Sequence, residues 1–166
     1  MYLNPGETSL ILCVDQPGFR LNTLAFARTA RPPTVYRATR AARAGVAEIE
    51  NGGGSVGRGA IRNLGRIGTS LTWGVCAPGA GQAALRLKYR NTTGKALPFE
   101  LPIGGKAAMP LTIGPTGDTW RNLDVTVWLE AGANRVQLSG LVNGWDSISL
   151  EQLDQITPTT ATSPGR

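Results

Sequence analysis

The sequence predicts an all-β protein, a jelly-roll β-sandwich made of many short antiparallel strands. Apolar and polar residues alternate with a period of two in run after run, which marks half-buried strands. Twenty-two Gly and eleven Pro in 166 residues interrupt those runs at short intervals. No convincing segment repeats its apolar residues at helical spacing, and a hydrophobic content of 41% suffices for one core.

The first 27 residues repeat a later stretch. Tyr2 to Ala27 aligns without a gap on Trp128 to Leu153, with the identities Leu3/Leu129, Gly6/Gly132, Leu12/Leu138, Gly18/Gly144 and Leu24/Leu150. The matches fall on turn glycines and inward leucines, where a shared backbone would demand them. Residues 1–27 therefore read as the C-terminal strands of a truncated preceding copy, an orphan β-hairpin with Met1 as a cut point. Residues 28–35, RTARPPTV, read as a linker kept extended by Pro32-Pro33.

Residues 36–153 carry a complete domain of nine or ten strands. Val46 to Glu50 alternates, Asn51-Gly52-Gly53-Gly54-Ser55 is a loop, and Arg58–Leu64 and Ser70–Val75 follow, divided by Gly65 and Gly68. Pro78-Gly79-Ala80-Gly81 turns the chain into Ala83–Tyr89, whose Leu85, Leu87 and Tyr89 share one face. Leu97, Phe99, Leu101 and Ile103 alternate, Gly104-Gly105 makes a tight hairpin, and Ala107–Ile113 returns. Val125, Val127 and Leu129 alternate with Thr126 and Trp128, Glu130 to Asn134 turns, and Val136, Leu138, Ile148 and Leu150 continue the pattern. Trp73 and Trp128 are expected in the core, whereas Trp120 and Trp145 follow turn residues at strand edges, where exposed aromatics serve as binding surface. Residues 154–166 are a Thr/Pro-rich linker that cannot bury enough apolar surface to fold.

Composition removes several chemistries. There is no His, and there are two Cys, Cys13 and Cys76, which excludes His-based acid–base catalysis and Cys- or His-rich metal sites. No stretch is long and apolar enough to cross a membrane as a helix, so no membrane partner is expected. Arg28, Arg31, Arg37, Arg40, Arg43, Arg58, Arg62 and Arg66 face only Glu48 and Glu50 in that segment, which accounts for the whole net charge of +6. A solvated basic segment and an anionic partner both fit this run, and a nucleic-acid partner is not expected.

Several motifs then occur in a fixed order: Ser70-Leu71-Thr72-Trp73-Gly74-Val75, Ala77-Pro78-Gly79-Ala80-Gly81, Leu85-Arg86-Leu87-Lys88-Tyr89-Arg90-Asn91, Leu101-Pro102-Ile103-Gly104-Gly105, Thr116-Gly117-Asp118-Thr119-Trp120, Leu129 to Leu138, and Asp146-Ser147-Ile148. This order resembles the carbohydrate-binding modules of families 6 and 35, galactose-binding-like β-sandwiches. The resemblance implies a non-catalytic module that holds a linked, secreted carbohydrate-active enzyme on a polysaccharide. Sugar would bind at loops joining the two sheets, by stacking on aromatic rings and by hydrogen bonds to polar side chains. The candidate ligand-binding residues are Trp120, Arg121, Asn122, Asn143, Trp145 and Asn91.

The departures concern metal and platform. Where the family carries first-strand glutamates for a structural calcium, this chain has Tyr36-Arg37-Ala38-Thr39, which leaves Asp146 as the remaining metal ligand. No cofactor is expected. Leu123 stands where the family places a second tryptophan. Two other function classes remain open: a structural or adhesive domain with a decayed sugar site, and a jelly-roll polysaccharide-degrading enzyme using Asp118, Asp124 or Asp146.

Overall fold

The computed structural model describes residues 35–55, 57 and 59–156. The proposed repeat at residues 1–27, most of the first linker and residues 157–166 lie outside the described residues. The strands in chain order are β1 (Val35–Arg37), β2 (Ala42–Ala44), β3 (Glu48–Glu50), β4 (Ala60–Leu64), β5 (Ser70–Ala77), β6 (Gly81–Arg90), β7 (Leu97–Leu101), β8 (Met109–Ile113), β9 (Arg121–Leu129), β10 (Gly132–Gly140) and β11 (Ile148–Ile156). One turn of 3-10 helix, Ala38–Arg40, joins β1 to β2 and buries Ala38.

The strands form two antiparallel sheets facing one another, as the alternation predicts. The first sheet has the order β3-β4-β11-β6-β9, with β1 also on β11, and the second has the order β2-β5-β10-β7-β8. Leu85, Leu87, Val125, Val127, Leu129, Ile148, Leu150 and Leu153 point inward from the first sheet, and Leu71, Trp73, Val75, Phe99, Leu101, Val136 and Leu138 from the second. Full burial of one such side chain is worth about 1.5–3 kcal/mol. A one-residue slip would turn a whole strand's set to solvent, so burial fixes the register.

Two details depart from the simple alternation and shape the surface. The pairing of β11 with β6 shifts between Leu150 and Gln152, so Glu151 is the extra residue of a bulge. Its carboxylate, only 4% exposed, accepts the Ser55 N–H at 2.8 Å and the Ser55 hydroxyl at 3.3 Å, and pairs with the Lys88 ammonium at 3.3 Å. That cluster fastens the Gly-rich loop after β3 across the outer face of the first sheet. Strand β11 also runs three residues past Leu153, because Asp154, Gln155 and Ile156 pair with Arg86, Leu85 and Ala84.

Trp128 is not in the core. Its neighbours Val127 and Leu129 take the inward positions of β9, and the indole stands 51% exposed on the outer face. Asn134, expected in a turn, is a buried β10 residue. Its amide accepts the Glu130 N–H at 2.8 Å and donates to the Glu130 carbonyl at 2.8 Å, closing the short β9–β10 connection.

Candidate functional site

The strand registers bring five connections to one end of the sandwich: β2–β3, β4–β5, β6–β7, β8–β9 and β10–β11. All six expected ligand-binding residues and Asp146 lie on this end or on the strand starts that border it.

Close backbone contact holds these loops. A Cβ on Gly140 would lie 2.2 Å from the backbone carbon and oxygen of Gly65, so only glycine allows the end of β10 to meet the β4–β5 loop. The Val142 N–H then donates to the Gly65 carbonyl at 2.8 Å and the Ile67 N–H to the Val142 carbonyl at 3.0 Å. A second clamp is Asn91. Its side-chain amide donates to the carbonyls of Lys95 at 2.9 Å and Ile113 at 3.1 Å, and its oxygen accepts the Thr93 N–H at 3.1 Å. Its backbone N–H donates to the Thr116 hydroxyl oxygen and its carbonyl accepts the Thr116 N–H, both at 2.9 Å.

On this frame stand two aromatic clusters. Trp145, in the β10–β11 loop, is 84% exposed, with the Arg66 guanidinium 4.5 Å from its ring centre. Asn143, two residues before it, is exposed, and Asp146 pairs with Lys95 at 2.5 Å. The other cluster lies at the start of β9, where Trp120 is half-buried under the Arg90 guanidinium at 5.2 Å. Arg90 donates to the Glu50 carboxylate at 3.2 Å, and the Ser149 hydroxyl donates to the same carboxylate at 3.4 Å. Arg121 and Asn122 are exposed at the head of β9. A guanidinium over an indole stiffens the ring while covering one face.

Two of the candidates stand apart from the rest. Asn91 has no exposed surface and its amide is satisfied within the protein, so it shapes the site and offers nothing to a ligand. Asp146 faces an ammonium, and the described residues do not fit a structural calcium. No three His, Cys, Asp or Glu side chains converge among them, and the first strand presents an exposed Arg37 and a buried Ala38. The most buried carboxylate, Glu151, already has its cation in Lys88. Burial pushes the Glu151 carboxyl up, but the Ser55 N–H and hydroxyl and the Lys88 ammonium outweigh it and hold the group below its ordinary value.

Sequence reasoning missed Arg66, Arg90 and Glu50. Arg66 belongs to the basic run, but its pairing with Trp145 spans two loops and leaves no local trace. Arg90 carries the alternation of β6 one residue further and thereby points outward.

No known protein-family profile matches the chain. Among curated proteins it is 30% identical over 108 residues to an exo-β-D-glucosaminidase of Amycolatopsis orientalis, a match covering 63% of the chain and only 10% of that enzyme. Among solved structures, a family 35 carbohydrate-binding module from Clostridium thermocellum superposes with a TM-score of 0.65 at 18% identity, covering 74% of this chain and 98% of the module. The chain has the fold of that module. An exo-β-1,3-galactanase from Phanerochaete chrysosporium, in complex with β-1,3-galactotriose, matches with a TM-score of 0.65 at 20% identity over 77% of this chain and 30% of the enzyme. The galactose-binding-like β-sandwich is thus the architecture, and the chain spans only a minor part of the enzymes it matches.

Proposed function

We propose that this domain binds carbohydrate at the loop end, as a non-catalytic module of a longer, secreted carbohydrate-active protein. The observation that carries the reading is Trp145, an indole 84% exposed on loops that close glycine contacts hold in place. Exposing so large an apolar ring has no packing return within the domain. Arg66 lies over one face of it, which leaves the other for the apolar face of a pyranose. Asn143, Arg121 and Asn122 supply exposed donors and acceptors around the two tryptophans for sugar hydroxyls.

The binding reading is favoured over a catalytic one by how the acids are used. Asp124 is paired with Arg86 at 2.7 Å and Asp146 with Lys95 at 2.5 Å. A glycosidase needs two free carboxyl groups facing each other across a cleft. The curated relative is named for an exo-β-D-glucosaminidase, and the module for carbohydrate binding. Both names agree with a sugar ligand.

Affinity electrophoresis tests the proposal in gels containing β-1,3-galactan, dextran or xylan. The expected result is retardation in at least one gel, reduced about tenfold or more by Trp145→Ala, with an unchanged unfolding midpoint. Equal mobility of the two proteins in every gel would overturn it.

A further inference from the structure

We infer that the outward face of β9 and β6 is a track for an uncharged polysaccharide chain, running from Trp120 to Trp128 and extending the loop-end site. This rests on the sugar-binding reading and deepens it by naming the ligand class and the mode of contact.

The period of the strand sets out the track. Trp120, Asn122, Asp124, Thr126 and Trp128 fall at alternate positions, and Val125, Val127 and Leu129 take the inward ones. Contact between Trp120 and Arg90, an outward residue of β6, puts that indole on the same face as Trp128. Eight residues of strand separate the two rings by about 27 Å, enough for several pyranose rings. Across the strand pair, Asn122 stands opposite Lys88, Asp124 opposite Arg86, Thr126 opposite Ala84 and Trp128 opposite Gln82. The face therefore has an aromatic ring at each end, with amide, carboxylate, hydroxyl and cationic groups between them. A ladder of this kind, bordered at Lys88 by the Gly-rich loop that Ser55 ties down, meets the hydroxyl edges of an extended glycan.

Charge pairing selects the class of ligand. Each cation that β6 presents has its own carboxylate: Arg86 with Asp124 at 2.7 Å, Lys88 with Glu151 at 3.3 Å and Arg90 with Glu50 at 3.2 Å. On the β6 face an acidic glycan or a nucleic acid would have to break those pairs to find a counter-charge, and a neutral chain would not. The track is continuous with the proposed site, since Trp120 belongs to both. A chain engaging it would be gripped along its interior.

The test compares Trp128→Ala and Trp128→Tyr with the unaltered protein against dextran, β-1,3-galactan and xylan, and against trisaccharides of the same polymers. Trp128 is half-exposed, so its replacement leaves the core intact. The track requires Trp128→Ala to weaken polymer binding about three- to tenfold and leave trisaccharide binding unchanged. It also requires partial rescue by tyrosine and no loss of binding when salt is raised. Polymer affinity unchanged in Trp128→Ala but lost in Trp145→Ala would overturn the track and leave the loop-end site standing. Steeply salt-dependent binding would overturn the neutral class. A wild-type dimer that Trp128→Ala turns into a monomer in sedimentation would assign the face to a second copy of the chain instead. Failure of the unaltered protein to bind any polymer or trisaccharide would remove both proposals.

Discussion

The two ends of this sandwich are built to different plans. At the end without the Arg66–Trp145 and Arg90–Trp120 clusters, β5 passes to β6 through Pro78-Gly79-Ala80, β9 to β10 through Glu130-Ala131 and β7 to β8 through residues 102–108, and the ion pair there is the exposed Lys106–Glu130 pair. At the other end, the β8–β9 and β10–β11 loops run over residues 114–120 and 141–147 and present two tryptophans and several unshared polar groups. Both ends use a buried asparagine to tie the backbone, Asn134 at one and Asn91 at the other. Long loops held rigidly are what a binding surface needs, because ordering them on contact would cost conformational entropy. The loop end spends backbone contacts on that rigidity beneath Trp120 and Trp145, whereas at the other end the β7–β8 loop, whose Gly104 N–H donates to the Arg135 carbonyl, carries no exposed tryptophan.

The largest expected effect comes from breaking the contact that fastens the loop end. Gly140→Ala would drive a methyl group into the Gly65 backbone at 2.2 Å. Relief requires moving either the end of β10 or the β4–β5 loop, so the domain should lose about 3 kcal/mol or more in chemical denaturation. Arg66 and Trp145 would be displaced together. An unchanged midpoint would mean that the loop end is no more tightly built than the other.

Asn91→Ala ranks next. It removes the donor to the carbonyls of Lys95 and Ile113 and the acceptor for the Thr93 N–H, all beside buried chain. Stranded buried polar groups cost about 1–3 kcal/mol, and a urea titration should find a loss in that range. A loss of sugar binding with full stability would return Asn91 to the role of ligand.

How far the sequence announced these features differs by position. Alternation laid out β5, β6, β7, β9 and β10, and the six-residue run Ile148-Ser149-Leu150-Glu151-Gln152-Leu153 holds a trace of the bulge, since its inward leucines are three apart. Trp128 was legible too, because period two puts it opposite Val127 and Leu129. Treating it as core follows its match with Tyr2 and its hydrophobicity instead of its phase. Asn91 was not legible, for an asparagine after a strand serves a turn or a ligand with the same local sequence. The pairing of Arg66 with Trp145, and of Arg90 with Trp120 and Glu50, depends on which loops meet at one end, and that is set by sheet order.

A smaller effect should follow acid. Glu151 titrates below its ordinary value when folded, so its contribution is complete above the unfolded carboxyl pKa of about 4.3 and is lost as pH falls through the lower folded value. Midpoints measured from pH 7 down to about 3 should fall in the natural protein and fall less steeply in Glu151→Gln. Loosening should begin with increased hydrogen exchange at Ser55, whose N–H the carboxylate accepts. Equal slopes would show that Lys88 and the Gly-rich loop do not depend on this charge.

The smallest effect is expected at the opposite end, and it sharpens the contrast with Lys88. Lys106 and Glu130 also form an ion pair, and its hydrogen bond holds the Glu130 carboxyl below the ordinary range. Yet both side chains are about half exposed, at 52% and 57%, and neither secures a loop to a sheet. Solvent screens such a pair, and confining two long side chains offsets much of what remains. Lys106→Met should therefore leave the unfolding midpoint unchanged at low and high salt, whereas Lys88→Met should lower it, because the latter strands Glu151 under the Gly-rich loop. An equal drop in both variants would show that burial is not what separates the two pairs, and the distinction between a built surface and a passive one would have to rest on the backbone contacts at Gly65 and Gly140 alone.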